Sequence, residues 1–314
     1  MKSINLKSTY KAALLAGLAL TSLSQLANAN SVNVHSFAPA ANPSYVFTED
    51  SILQTNWKRA SEKGSLFFSA FYDHLNDPLV ELDKTKTKRT ATLVDSMNSL
   101  SLTMGYGLLD RLQVGFSTAL SMVSVNNTKS DVGLTDSRLF GKLRINSEQD
   151  AVTFAIMPEL YVPTGNRALF LTNDSLGAGA KLIAEHDFGK VAVAGNIGYR
   201  YSPAAEFRDL NFKSLIPMSL GVLVPIGPRW AINGDAMGTI ALPLSNEMIP
   251  SSFYLGVRYR LPSNLIVSAG GAVGSVNGYS SADYRIIVGI TLAPEKREER
   301  GGPITPIVPV VETK

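Results

Sequence analysis

From Ser99 to Tyr106 the chain reads Ser-Leu-Ser-Leu-Thr-Met-Gly-Tyr, a strict alternation of polar and apolar residues. In an extended strand successive side chains point to opposite faces. Leu100, Leu102, Met104 and Tyr106 therefore share one face, and Ser99, Ser101, Thr103 and Gly105 the other. A period of two cannot belong to a helix, which would group residues three and four apart. Beyond Leu109-Asp110-Arg111 the pattern resumes, with Leu112, Val114, Phe116, Leu120 and Met122 opposing Gln113, Gly115, Ser117 and Ser121. The two runs and their tight turn predict a β-hairpin.

The same reading predicts strands near 65–74, 94–106, 112–124, 136–145, 151–162, 176–186, 190–201, 214–224, 229–241, 251–260, 265–275 and 282–292. Each is close to the ~9–11 residues of a tilted transmembrane strand. Tight turns follow the even-numbered strands, as at Asp110-Arg111, Asp187-Phe188-Gly189 and Pro225-Ile226-Gly227-Pro228. Longer polar connections are expected after the odd-numbered ones, at 75–93, 125–135, 163–175, 202–213 and 242–250, with a shorter one near 276–281. Short turns on one rim and long loops on the other characterise outer-membrane barrels. An even strand count places both ends of the barrel on the short-turn, periplasmic rim.

Charge then separates the faces. Val152, Phe154, Ile156, Leu182, Val193, Ile197, Ile216, Leu220, Val222, Phe253, Leu255, Val257, Tyr284, Ile286, Val288 and Ile290 lie on an uncharged face, expected to meet lipid. Arg138, Lys142, Arg144, Glu159, Lys181, Glu185, Arg200, Asp235, Arg258, Arg260, Asp283 and Arg285 lie on the other, expected to line the lumen as a pore wall or as internal salt bridges. A cation on the lipid face near the midplane costs roughly 2–4 kcal/mol, whereas the lumen is polar. Tyr106, Tyr161, Tyr199, Tyr201, Trp230 and Tyr259 stand near strand ends and are expected as membrane-interface aromatics. A soluble sandwich or lipocalin-like barrel has the same period with the faces exchanged. Small residues on the polar face and an export signal favour the membrane. The expected fold is thus all-β, a transmembrane antiparallel up-and-down barrel of about 12 strands, closed because an open edge in lipid leaves backbone groups unpaired.

The export signal is Lys2, Lys7 and Lys11, the apolar stretch from Ala12 to Leu20, and the small-residue site Ala27-Asn28-Ala29. Cleavage between Ala29 and Asn30 is expected, making 1–29 a signal peptide. Removing its three lysines from the 29 Lys+Arg leaves 26, against 26 Asp+Glu. A neutral mature chain carries no nucleic-acid footprint. With no Cys and three scattered His (His35, His74, His186), neither a thiolate nor a His-rich metal site is expected, and no cofactor. Residues 30–63 precede the barrel of 64–293 as a periplasmic or lumen-plugging segment, and 294–314 form a charged, Pro-rich tail of extended chain.

Several motifs carry a resemblance: Phe37-x-Pro39, Asp77-Pro78-Leu79-Val80, Gly107-Leu108-Leu109-Asp110-Arg111-Leu112-Gln113-Val114-Gly115, Gly133-Leu134-Thr135-Asp136-Ser137-Arg138-Leu139, Val162-Pro163-Thr164-Gly165 and Gly198-Tyr199-Arg200-Tyr201. Together with Asp283-Tyr284-Arg285-Ile286 they resemble the N-terminal barrel of large OmpA-family outer-membrane proteins. They are also similar to transporter-like barrels associated with aromatic-compound degradation. The resemblance implies outer-membrane lipid and lipopolysaccharide as surroundings, the barrel-assembly machinery as an assembly partner, and periplasmic or cell-wall partners for the tail. A peptidoglycan-binding domain usually follows the linker in that family. Here the sequence reaches Lys314 within a linker-like stretch, so direct anchoring to the wall is not expected.

Three functions compete. Eight basic and four acidic residues on the polar face suggest a small porin-like channel for polar or anionic solutes. A closed structural or surface-interaction barrel is the alternative, with long loops that include the basic run Lys84 to Arg89. Remotely, a barrel-embedded hydrolase would need a nucleophile and base, and His74 with Asp73 and Asp77 at the outer rim is the arrangement to consider, Ser69 being on the same strand but set apart from His74. His186 is expected to cap a hairpin.

Overall fold

A computed structural model describes residues 32–35, 63–82, 89–125, 130–147, 150–207, 210–242, 251–262, 265–274 and 282–292. The signal peptide, the basic run at 84–88 and the tail at 294–314 lie outside the described residues.

The described residues form fifteen strands: β1 (Leu66–Leu82), β2 (Arg89–Leu109), β3 (Leu112–Val125), β4 (Asp131–Leu134), β5 (Ser137–Arg144), β6 (Thr153–Val162), β7 (Gly177–Asp187), β8 (Ala192–Tyr201), β9 (Glu206–Phe207), β10 (Leu210–Asn211), β11 (Ser214–Ile226), β12 (Trp230–Leu242), β13 (Ser251–Arg260), β14 (Leu265–Gly274) and β15 (Tyr284–Leu292). β4 and β5 both pair with β3 and form one interrupted stave, while β9 and β10 make a separate two-stranded hairpin. Twelve antiparallel staves remain, and the sheet closes because β1 pairs with both β2 and β15. The seam between β1 and β15 runs for nine residue pairs, from Phe68↔Leu292 to Asn76↔Tyr284.

Burial follows the alternation. β15 reads exposed and buried in strict turn, and β6 does so over all but its ends. The exposed members are the apolar ones: Leu255 is 66% exposed and Phe253 61%, with Leu182, Ile197, Leu220, Ile286 and Val288 beside them around the outside. The buried members include Ser69, Ser99, Thr103, Gln113, Asn233 and the charged residues. Apolar outside and polar inside is the reverse of a soluble barrel. Only a hydrocarbon solvent stabilises such a surface.

The loops differ from expectation in three places. The 75–93 connection is mostly strand, because β1 and β2 continue their pairing to Leu82↔Arg89. Asp77-Pro78 reads as a turn, but Asp77 takes a positive φ of 48° and the register shifts there, so a bulge accommodates the proline without ending the strand. Within 125–135, Asp131–Leu134 adds four residues to the wall beside β3. The 163–175 connection folds inward rather than out into solvent, as described below.

Three inward-facing glycines share one local device. Gly105 is paired with Phe67, Gly115 with Phe140 and Gly289 with Phe71. In each pair a Cβ on the glycine would overlap the phenylalanine ring, which lies flat over the neighbouring strand. A larger residue must push the ring into a crowded lumen. Gly115→Leu should destabilise the barrel by about 1–3 kcal/mol through overpacking, read as a lower urea midpoint for refolding into detergent. Gly141→Ala is the comparison, since its nearest neighbours would be 3.9 Å away, and it should be nearly silent.

Candidate functional site: a charged lumen with a folded-in mouth

The lumen wall is built by parity. In β5 the inward positions carry Arg138, Phe140, Lys142 and Arg144; in β6, Ala155, Met157, Glu159 and Tyr161; in β7, Lys181, Ile183 and Glu185. Asp235, Arg258 and Arg285 are inward and buried on the other side, and Arg200, Arg260 and Asp283 are partly buried. Even the long cations are enclosed: Arg258 is 1% exposed and Lys142 2%.

Two polar clusters stand across the barrel from one another. On β5–β8, Glu159 is the hub. Its Oε1 accepts from Arg138 Nη1 at 2.9 Å, and its Oε2 accepts from the Tyr161 hydroxyl at 3.0 Å and faces Lys181 Nζ at 3.5 Å. Arg200 lies over the Tyr161 ring, 3.9 Å from its centroid. On the β1–β15 side Arg285 Nε lies 3.3 Å from Asp73 Oδ1, and Arg285 Nη1 donates to the Tyr254 hydroxyl at 2.7 Å. Asn233 donates to Asp235 at 3.1 Å.

The long-loop half of the lumen is filled by the chain itself. Val32 and Val34 pack with Leu169 and Leu171 against the wall residues Leu75, Leu79, Val94, Met97 and Val123. Residues 32–35 lie against the inward loop: Asn33 bridges to Leu171, Val34 N donates to Phe170 O at 2.9 Å, and Asn33 N donates to Asn173 Oδ1 at 3.0 Å. His35 Nε2 reaches the inward Ser101 Oγ at 3.2 Å. Lys63, by contrast, sits at the opposite rim, where its N–H donates to Asp110 in the short turn. The strand ends of the barrel are thus at the short-turn rim, while 32–35 occupy the interior.

The inward loop is latched by Asp136, at the break between β4 and β5. Its carboxylate accepts from Gly165 N at 3.3 Å and from Asn173 N at 2.8 Å, while its own N–H donates to Leu171 O at 3.1 Å. Ser137 N donates to Thr164 Oγ1, which in turn donates to Thr135 O, both at 2.9 Å. Gly165 is required because a Cβ would overlap the Leu171 carbonyl. Asn166 caps a short 3-10 turn, Arg167–Leu169, through Ala168 N, and Phe170 closes it in the left-handed region at φ 57°.

Among solved structures, the chain is similar to an outer-membrane channel of the COG4313 group from Pseudomonas putida F1. The TM-score is 0.59 at 15% identity, with 76% of this chain covering 99% of that one. The KdgM porin solved with disordered oligogalacturonate is more distant, at a TM-score of 0.46, 7% identity, and 74% of this chain covering 99% of that one. The NanC porin is at a TM-score of 0.47, 8% identity, and 72% covering 98%. No family model matches the chain. No curated protein matches it in sequence.

Two sequence expectations need correction. Tyr161 is not an interfacial aromatic: it is 7% exposed and belongs to the Glu159 cluster. It shares odd parity with Glu159, so a girdle position was excluded by its own strand. Tyr106, Tyr199, Tyr201 and Trp230 are exposed, and Tyr259 is half-buried with its ring 4.6 Å from that of Trp230. The Asp73–His74 arrangement does not form either. Asp73 points into the lumen to Arg285, whereas His74 points outward and bonds Asn98 Oδ1 at 2.9 Å, next to Tyr72. His186 stacks edge-on to Phe188 and bonds the Ala151 carbonyl, bracing two neighbouring turns. Sequence reasoning named Asp73 and Asp136 but placed neither in the lumen; alternation from Phe67 through Phe71 would have put the first inside.

Proposed function

We propose that this protein is an outer-membrane channel for small solutes that favours anions, its outer mouth closed in this conformation by residues 32–35 and the 163–175 loop. The observation that carries this reading is the lumen's charge. Among the described residues, eight cations (Arg138, Lys142, Arg144, Lys181, Arg200, Arg258, Arg260, Arg285) face inward with six acids, Asp73, Asp136, Glu159, Glu185, Asp235 and Asp283. A structural barrel needs no such excess, because burying charge costs more than filling the space with apolar side chains. A wall of cations instead raises the local concentration of anions and lowers their barrier to passage.

The apolar exterior supports an integral position in the outer membrane, and the loop asymmetry supports the long-loop rim facing outward with both barrel ends towards the periplasm. In that orientation lipopolysaccharide surrounds the long-loop rim, the barrel-assembly machinery inserts the chain, and any partner of the tail is periplasmic. The finer kinship with OmpA-family barrels rests on the motifs alone.

The second reading, a closed structural barrel, is favoured by the burial of the lumen charges. Planar-bilayer recording of the full chain separates the two. Discrete anion-selective steps are expected for the channel. Absence of steps, both in the unaltered protein and after release of residues 32–35, would leave the structural reading.

A further inference from the structure

We propose that Arg229, Trp230 and Tyr259, at the short-turn end of β12 and β13, form a headgroup site for one anionic phospholipid whose acyl chain lies along β12. The contacts stand on their own geometry; placing the lipid in the periplasmic leaflet rests on the orientation proposed above.

A tight turn presents the cation. β11 and β12 pair down to Ile226↔Trp230, and Gly227, at a φ of 72°, turns the chain between them. On the other side Arg260 N donates to Arg229 O at 2.8 Å, one step beyond the Trp230↔Tyr259 pair. That bond fixes the Arg229 backbone at the rim, and its side chain is exposed. Trp230 and Tyr259 face outward beside it, with ring centroids 4.6 Å apart. Arg229 Nη1 reaches the Tyr259 hydroxyl at 3.5 Å, the outer limit of a hydrogen bond. Most of the guanidinium donors are therefore uncommitted, and among the described residues Arg229 has no carboxylate partner.

Charge gives the site its preference. The stretches from Ser214 to Leu242 and from Ser251 to Gly274 hold a single acid, Asp235, and it is buried on the lumen side. The outer surface around Arg229 is thus positive with nothing of opposite sign nearby. A guanidinium fork matches the oxygens of a phosphate, and the Trp230 indole and Tyr259 hydroxyl add donors at the same height. A zwitterionic headgroup brings its own ammonium, which Arg229 repels; an anionic one does not. At the long-loop rim, by contrast, Arg167 is paired with Asp174 at 2.8 Å.

The wall above the headgroup is furrowed. On the outer face of β12, Trp230 and Ile232 are followed by Gly234 and Ala236. Leu220 stands opposite Ala236 on β11, and on β13 Leu255 stands opposite Gly234 and Phe253 opposite Ala236. All three are exposed, so large side chains flank a floor of small ones. A Cβ at Gly234 would meet only the Tyr254 carbonyl, at 3.8 Å. At ~3.3 Å per residue the six steps from Trp230 to Ala236 span roughly 20 Å, more than one leaflet's half of the ~30 Å hydrocarbon core. A phosphate held by Arg229 therefore sets its acyl chain along this furrow.

The chain has two tryptophans, Trp57 and Trp230, so Trp57→Phe leaves Trp230 as the sole emitter. The full-length Trp57→Phe protein in phosphatidylcholine bilayers is titrated with brominated phosphatidylglycerol or brominated phosphatidylethanolamine of the same chains, and quenching gives their relative affinity beside Trp230. Phosphatidylglycerol should be preferred by roughly five- to twentyfold. Arg229→Gln should erase that preference, and Arg111→Gln, on another exposed short turn, should leave it unchanged. Gly234→Leu should weaken both lipids together, because it fills the furrow and spares the headgroup contacts. Native mass spectrometry of the unaltered protein counts the same two lipids as adducts, so the comparison holds even if a variant does not fold. Equal affinity for the two lipids, or a preference that survives Arg229→Gln, overturns the headgroup site, and Gly234→Leu without effect overturns the path of the chain. With no Cys in the sequence, Pro228→Cys reports the leaflet: a membrane-impermeant maleimide should label it only after the outer membrane is opened. Labelling in intact cells would overturn the phospholipid assignment in favour of a lipopolysaccharide phosphate, and the orientation with it. Periplasmic labelling without lipid preference removes the site alone.

Discussion

Replacing Glu159 with leucine should destabilise the barrel by about 3–5 kcal/mol, the usual consequence of deleting one partner from a buried ion pair. Arg138, Lys181 and Tyr161 all converge on this carboxylate, which is 1% exposed. Without it Arg138 and Lys181 lose the buried carboxylate they share. Urea titration of folding into detergent or lipid vesicles, followed by tryptophan emission, measures the shift. The double substitution Glu159→Leu with Arg138→Met should recover part of the loss, because removing both charges is far less costly than removing one. A Glu159→Leu protein as stable as the parent would show that the cations relax into water, and therefore that the lumen is wetter than its burial indicates.

The second large effect concerns conductance. Val34→Asp should open the long-loop mouth at a cost of about 2–4 kcal/mol, the lost burial of the segment's valines, while the barrel still forms because the strand ladder is untouched. Val34 is fully buried among Leu169, Leu171 and the wall. A carboxylate there would be set among apolar side chains. An isolated buried charge costs more than the hydrogen bonds and valine packing that hold residues 32–35, so release of the segment is the easier relaxation. Single-channel recording should show conductance raised severalfold over the parent. Unchanged conductance with the segment demonstrably released would mean that the 163–175 loop alone forms the barrier.

What could be read from the sequence follows the reach of each signal. The strands were legible because period-two alternation is local, and each strand carries its own. Which face meets lipid was legible from Arg138, Lys142, Glu159 and Lys181, since lipid tolerates few charges. The extension of β1 and β2 was hidden, because Asp77-Pro78 spells a turn and only the paired register shows that it is a bulge. The latch was hidden for a different reason. Gly133 to Leu139 and Val162 to Gly165 each resemble turn chemistry alone, yet Thr135, Asp136 and Ser137 bond Thr164, Gly165 and Asn173 across the rim. Such partnership leaves no periodic trace in a single sequence. Residues 32–35 carry only Val-Asn-Val-His, too short a run to declare a partner.

The seam between β1 and β15 bears on how the molecule is made. Phe68 must find Leu292, so the pairing that closes the cylinder joins nearly opposite ends of the folded chain. Contacts of such large sequence separation are slow to form, because the intervening chain must be ordered first. Val32 and Val34 are enclosed by walls that this zipper completes. An open precursor therefore presents Leu75, Leu79 and Met97 to the segment before the last stave docks. A segment docked in that order would template the wall, and Val34→Asp should then slow the appearance of the heat-resistant form by more than its loss of stability accounts for.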